Sequence, residues 1–175
     1  DKYFFITSSD HNTSEQYYFD VNETKPQPKL IKKRKRGILY SVNSWNGKFY
    51  NHTNENAEDF KIDIAENLKN QNWKVFIAAK DEVLIGGLTF LKNWIIRFET
   101  SDALDKLFVK NITTEKEEEL IFSDEMVYVP SASLMQRDKN TDEIYLSYSS
   151  PKTQSRVYSY NLSSKIKKLV KEQEI

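Results

Sequence analysis

Two histidines, His11 and His52, are the only imidazoles in this 175-residue chain, and beside its many serines and aspartates they raise nucleophilic hydrolysis as the first chemistry to test. A hydrolase serine on an α/β scaffold needs a G-x-S-x-G elbow, because only glycine fits that sharp strand-to-helix turn. The four glycines are Gly37, Gly47, Gly86 and Gly87, and none flanks a serine in that pattern. The two histidines fall in equivalent or near-equivalent loops and read as solvated side chains. His11 with Asp10, and His52 with Glu55, are too sparse for a transition-metal site. No run has the D-x-D-x-D-G spacing of a calcium loop. With no cysteine there is also no thiolate nucleophile, cysteine-zinc site or disulfide framework. The sequence therefore assigns no catalytic, metal-binding or cofactor-binding residue.

Charge narrows the partners. Lys and Arg number 26 and so do Asp and Glu, so no net field draws in nucleic acid or an anionic membrane. The run Lys32-Lys33-Arg34-Lys35-Arg36 is the main local exception. No aromatic residue is interleaved with it, so it reads as a solvated or interdomain-contact loop rather than a nucleic-acid platform. Triplets such as Asn22-Glu23-Thr24 and Asn111-Ile112-Thr113 match the glycosylation pattern, but they read as products of an Asn-rich composition. No apolar stretch approaches the roughly 18 residues of a membrane span. The opening residues lack the basic and apolar regions of a signal peptide, and the composition fits a cytoplasmic setting.

The elements that must carry these residues repeat. Tyr3 to Ile31, Lys48 to Ile77, Trp94 to Phe122 and Ile144 to Val170 each read as an apolar strand, a polar turn, an alternating strand, a second turn and a closing apolar pair or triplet. Starts near Tyr3, Phe49, Ile95 and Ile144 give a period of about 46–49 residues, the range of propeller blades. Between the units lie further apolar segments: Ile38 to Val42, Val83 to Leu88 and Met126 to Val129. Each is expected to be a buried inner strand with a continuous apolar run, and Gly86-Gly87 suits close approach to a crowded axis. The expected fold is all-β: a partial β-propeller of about four blades, each of four antiparallel strands. The units run approximately 1–36, 37–81, 82–123 and 124–175.

A β-sandwich shares the short strands and turns, but it does not require long units that repeat in register. Helix competes in two places. Phe60, Ile64 and Leu68 are spaced as on a helix face, whereas Phe60, Ile62 and Ile64 alternate as a strand; the equivalent segments favour strand. The terminal SSKIKKLVKEQEI has some amphipathic-helix character but aligns with the closing strands of the other units. The chain starts in mid-strand and ends without a turn, and so reads as a piece of something longer.

Particular residues add a resemblance. Gly37-Ile38-Leu39-Tyr40-Ser41-Val42, Lys48-Phe49-Tyr50-Asn51-His52-Thr53-Asn54 and Asp59-Phe60-Lys61-Ile62 resemble the propeller of the prolyl oligopeptidase family, in its oligopeptidase B branch. Asp59 stands where that motif has Asn, and Ile62 where it has Leu. Tyr148-Ser149-Ser150-Pro151-Lys152-Thr153, Val157 to Leu162 and Lys168 to Ile175 resemble the final blade of the same family. The resemblance covers essentially the whole chain. It implies the C-terminal half of a seven-bladed propeller, whose catalytic α/β-hydrolase domain with its Ser-Asp-His triad is not in this chain.

The resemblance further implies a substrate-gating fragment, itself without catalysis, of a serine endopeptidase that cleaves peptides after basic residues. Its partners would be the hydrolase domain, in cis or in trans, and the peptide substrates; open blade faces would favour self-association. Two other functions stay in view: a stand-alone propeller that presents its loops to a protein partner, and an enzyme with a site in its central channel. Inner strands poor in acids and histidines speak against the last.

Overall fold

Alternating side chains and tight turns build fifteen strands in the computed structural model, which describes residues 2–121, 129–134 and 139–173. The first sheet holds β1 (Tyr3–Ser9), β2 (Ser14–Asp20) and β3 (Lys29–Leu30). In the second are β4 (Tyr40–Trp45), β5 (Lys48–Thr53), β6 (Lys61–Ala65) and β7 (Lys74–Ile77). The third comprises β8 (Val83–Phe90), β9 (Trp94–Ser101), β10 (Leu104–Asn111) and β11 (Glu117–Glu119). The fourth contains β12 (Val129–Leu134), β13 (Glu143–Ser149), β14 (Arg156–Asn161) and β15 (Lys167–Glu172). Within each sheet every strand lies beside its successor in sequence, the meander of a propeller blade.

The all-β expectation holds, with no helix among the described residues. Both ambiguous segments are strands. Phe49 to Thr53 pairs with Ala65 to Lys61, and Tyr158 to Tyr160 pairs with Leu169 to Lys167. The expected four strands per unit need one correction. β1 starts at Tyr3 and forms an edge, so the first sheet has three strands among the described residues. The inner strands need another. They are not uniformly buried runs, because each alternates its side chains between two unlike environments: Tyr40 and Val42 are buried while Asn43 is exposed, and Leu84 and Val129 are among the exposed apolar residues. Of the segment Met126 to Val129, only Val129 lies within the described residues, as do all but Glu174 and Ile175 of the terminal motif.

Turn chemistry fixes the registers. Asn46 and Gly47, both with positive φ, form the two-residue hairpin between β4 and β5 and bring Trp45 opposite Lys48. The hairpin from β9 to β10 uses Asp102 and Ala103 in the same left-handed region, an uncomfortable place for alanine. The Asn111 side chain accepts hydrogen bonds from the backbone N–H groups of Thr113 and Thr114, and Asn161 does the same for Ser163 and Ser164. Asn111 and Asn161 thus have a structural role in their turns, whereas Asn22 instead donates to the Asp20 side chain. At these turns Asn closes the loop, because its short amide can mimic a backbone turn.

The chain forms two compact units, Asp1–Ile85 and Gly86–Ile175. In the first, Ile31, Tyr40, Val42, Phe49 and Leu68 form a buried cluster with Tyr3, Phe5, Tyr18 and Trp73 packed against it, so the first sheet and the second share one core. In the second unit, Trp94, Ile96, Leu107 and Val109 of the third sheet meet Ile144, Leu146 and Tyr148 of the fourth.

Candidate functional site

The sequence named His11 and His52 as the residues most able to do chemistry, and the fold separates them. His11 is exposed in the turn between β1 and β2. His52 is not a solvated loop residue; it lies in β5, partly buried, with its ring stacked on Phe60 at 4.5 Å between centroids and 17° between planes. Its Nε2 group donates to the carbonyl of Ile85 at 2.6 Å. The correction has a simple cause: the strand after Asn46-Gly47 runs on through Thr53, and His52 occupies a position whose side chain faces Phe60. Burial lowers its pKa below the ordinary histidine value, with the bond to Ile85 acting in the opposite direction. His52 thus serves as a tie between β5 and the start of β8, assisted by the bond from Ile85 N–H to the Asp59 carbonyl at 2.9 Å. Phe60 holds a positive φ of 67° to offer its ring, a strained backbone maintained by these contacts.

The glycines that failed to bracket a serine have structural work. Gly37 and Gly47 take positive φ in turns. Gly86 does mark a close approach, though to its neighbouring strand: a Cβ there would lie 2.9 Å from Phe98 Cβ and 3.1 Å from its carbonyl oxygen. Among the described residues, no group of three or more His, Asp or Glu is placed to hold a metal ion.

The basic run lies between β3 and β4, and both Lys32 and Arg34 are engaged. Lys32 Nζ pairs with Glu55 at 2.9 Å, and the hydrogen bond it gives holds the Glu55 carboxyl below the usual range. Arg34 reaches back to the Ser8 carbonyl and hydroxyl at 3.0 and 2.9 Å and to Asp10 at 3.3 Å. The Asp10 carboxyl is itself held low, chiefly by the backbone N–H of Asn12. This loop staples the first sheet to the second.

A buried polar seam reinforces the same junction, and nothing in the sequence pattern announced it. The Tyr40 hydroxyl accepts from the backbone N–H of Gln16 at 2.8 Å and of Lys32 at 3.1 Å, and donates to the Lys32 carbonyl at 2.7 Å. The Gln16 amide grips both backbone groups of Val42, at 2.8 and 3.3 Å. Ser14 Oγ accepts from Tyr40 N–H at 2.7 Å and donates to the Tyr40 carbonyl at 2.9 Å. Three side chains thereby replace the ladder bonds that two separate sheets cannot make with each other. The expected alternation on β2 places Ser14, Gln16 and Tyr18 on one face, but a polar residue on a strand says nothing in advance about which face is buried.

The third sheet carries the densest buried charge. Arg97, only 3% exposed, donates to Glu99 at 2.9 Å and forks onto both oxygens of Glu117 at 2.8 and 2.9 Å. Burial opposes its charge, but the two carboxylates outweigh that and raise its pKa. The guanidinium also lies 4.9 Å from the centre of the Phe108 ring. All of this polar machinery joins strands and sheets, and none of it is arranged as a reacting centre among the described residues.

Comparison with known proteins matches that description. The family model for the prolyl oligopeptidase N-terminal beta-propeller domain matches residues 1–173. Protease 2 of Moraxella lacunata is 25% identical over 175 residues, an alignment covering 93% of this chain and 23% of that protein. Dipeptidyl aminopeptidase BI of Pseudoxanthomonas mexicana is 24% identical over 149 residues, covering 83% of this chain and 20% of that one. Among solved structures, oligopeptidase B from Trypanosoma brucei, in a closed form with covalently bound antipain, superposes with a TM-score of 0.88 at 21% identity, covering 99% of this chain and 26% of that one. Oligopeptidase B from Leishmania major gives 0.85 at 16% identity with the same two coverages. The chain therefore spans about a fifth to a quarter of the length of these relatives.

Proposed function

The chain belongs to the prolyl oligopeptidase N-terminal β-propeller family, and on that footing we propose that it is the substrate-admitting propeller segment of a serine oligopeptidase. The observation that carries this reading is the family match along residues 1–173, on a chain folded as successive meander sheets. In this reading the segment contributes no reacting group. It works with an α/β-hydrolase domain, in cis or in trans, by restricting entry to peptides short and flexible enough to pass. Likeness to two oligopeptidase B structures and to Protease 2 supports a parent enzyme that cuts peptides after basic residues. The cysteine-free sequence is compatible with work in the cytoplasm, and no helix among the described residues is long and apolar enough to cross a membrane.

The test is to combine this chain with a separately expressed hydrolase domain from a relative and compare cleavage after arginine in a short peptide and in an unfolded polypeptide of some hundred residues. Gating predicts that the chain lowers kcat/KM for the long substrate at least tenfold more than for the short one. Equal effects on both, or none, would point instead to a free-standing interaction module.

Self-association belongs to the same proposal. On the outer face of the first sheet, Phe4 and Ile6 are 54% and 43% exposed, and Phe4 stacks on Phe19 at 5.3 Å. A sheet face this apolar is a docking surface, and a second copy of the chain in solution covers it.

A further inference from the structure

Asn51 and Asp63 are direct partners across β5 and β6, so their side chains stand side by side on one face of the second sheet. Asn51 is 0% exposed and Asp63 6%. Neither amide atom of Asn51, nor Oδ1 of Asp63, meets a hydrogen-bonding partner among the described residues. Buried polar atoms are rarely left this way, because each forfeits its hydration without replacement. Two such residues in register are harder to dismiss than one. The surroundings offer no rescue: Val42 is opposite Asn51 on β4, and the Thr53 hydroxyl already donates to the Leu39 carbonyl.

We infer that the Asn51–Asp63 pair is a binding site for an ordered internal water, which accepts a hydrogen bond from Asn51 Nδ2 and donates one to Asp63 Oδ1. Cross-strand neighbours have Cβ atoms roughly 4.5–5.5 Å apart, a spacing one water can bridge. Internal waters typically have two to four polar partners, which this pair supplies. Charge selects water over a cation. The other Asp63 oxygen, Oδ2, already lies 3.1 Å from Lys61 Nζ, so the negative charge is matched and a neutral donor is what Oδ1 lacks. The bridge lets a polar pair occupy a sheet interior where two apolar residues would pack dry, and it couples β5 to β6 through side chains as well as backbone.

The test is a water-contact NMR measurement on the ¹⁵N-labelled chain, with the Asn51 side-chain signals assigned by their loss in Asn51→Leu. The expected result is a cross-peak between water and the Asn51 Nδ2 protons with the sign of a long-lived contact, falling at least fivefold in Asp63→Leu. If Asn51→Leu fails to fold, the Asn51 side-chain signals are assigned through their contacts with the cross-strand neighbours Val42 and Asp63, and the wild-type cross-peak alone then decides. A missing cross-peak overturns the inference, as does a direct hydrogen-bond coupling between the two side chains. Replacement of sodium chloride by choline chloride at constant ionic strength must leave the Asn51 signals in place; a shift would mean that the occupant is a monovalent cation and not water.

Discussion

Gly86 and Gly87 are neighbours in β8 with opposite surroundings, and replacing each in turn by alanine separates two effects that usually arrive together. Both substitutions give the strand a residue with less freedom in the unfolded chain, a gain of about 0.5–1 kcal/mol. Only one of them clashes. A Cβ on Gly87 meets nothing within 4 Å among the described residues, whereas one on Gly86 sits 2.9 Å from Phe98 Cβ and 3.1 Å from the Phe98 carbonyl oxygen. Ordinary carbon–carbon contact is at about 3.5–4.0 Å, so β8 or β9 must give way by at least half an ångström. Neither obstructing atom is the far end of a flexible side chain; one is backbone and the other is fixed to it.

Overpacking of this kind costs about 1–3 kcal/mol. Because the conformational gain is common to both variants, the difference between them isolates the clash. Gly87→Ala is expected to be more stable than the parent by about 0.5–1 kcal/mol, while Gly86→Ala falls about 1–3 kcal/mol below Gly87→Ala. Urea unfolding followed by tryptophan fluorescence reads this directly, since Trp94 is the first residue of β9 and lies in the core. In a thermal scan each kcal/mol corresponds to about 2–4 °C for a chain of this size. If the two variants unfold together, or Gly86→Ala is the more stable, the close approach of β8 to Phe98 is wrong.

Four further outcomes test other parts of the molecule. Ala103→Gly should raise stability by about 1 kcal/mol, because position 103 has φ of 59° and glycine removes the left-handed penalty; a thermal melt checks it. Tyr40→Phe leaves Gln16 N–H and the Lys32 backbone without their shared partner and should cost about 1–3 kcal/mol in urea unfolding. For His52 the folded pKa lies below the ordinary value of 6.5, so its contribution is whole above about pH 6.5 and is lost as pH falls through the folded value; His52→Gln should flatten the stability profile below that pH, and an unchanged slope would remove His52 as its source. Phe4→Ser with Ile6→Ser should shift sedimentation toward monomer relative to the parent chain, and an identical distribution for both would dismiss the first sheet's outer face as the contact.

What the sequence showed, and what it hid, divides along the range of the forces involved. The repeat of apolar strand, turn and alternating strand in each unit is a local signal, and β2 and β10 obey it, whereas the Asn46-Gly47 hairpin was not singled out in advance. The choice of strand over helix was legible for Lys61–Ala65, within the segment Phe60 to Leu68, because one weakly periodic segment could be compared with its counterparts in other units. Gly86 was legible as a close approach but not in its direction, since only the fold shows that Phe98 is the neighbour. His52 was misplaced for a related reason. Its Asn- and Glu-rich surroundings look like a loop, and only the pairing of Ser41 with His52 and of His52 with Ile62 draws it into the sheet.

The polar seam is the hardest case. Ser14, Gln16 and Tyr40 are ordinary strand residues one at a time, and become a joint only when β2 lies against β4, 24–26 residues away in the chain. The same holds for Arg97 with Glu117, whose charges look like any solvated pair until burial commits them to each other. In a repeat fold, the strands are specified within each unit, but the residues joining one sheet to the next are specified by pairs of units. The proposed gating role depends on that second level, because a propeller restricts passage only as firmly as its blades hold together. The sequence motifs were enough to name the family; the seam at Tyr40 is where disruption should be felt as loosened gating rather than lost chemistry.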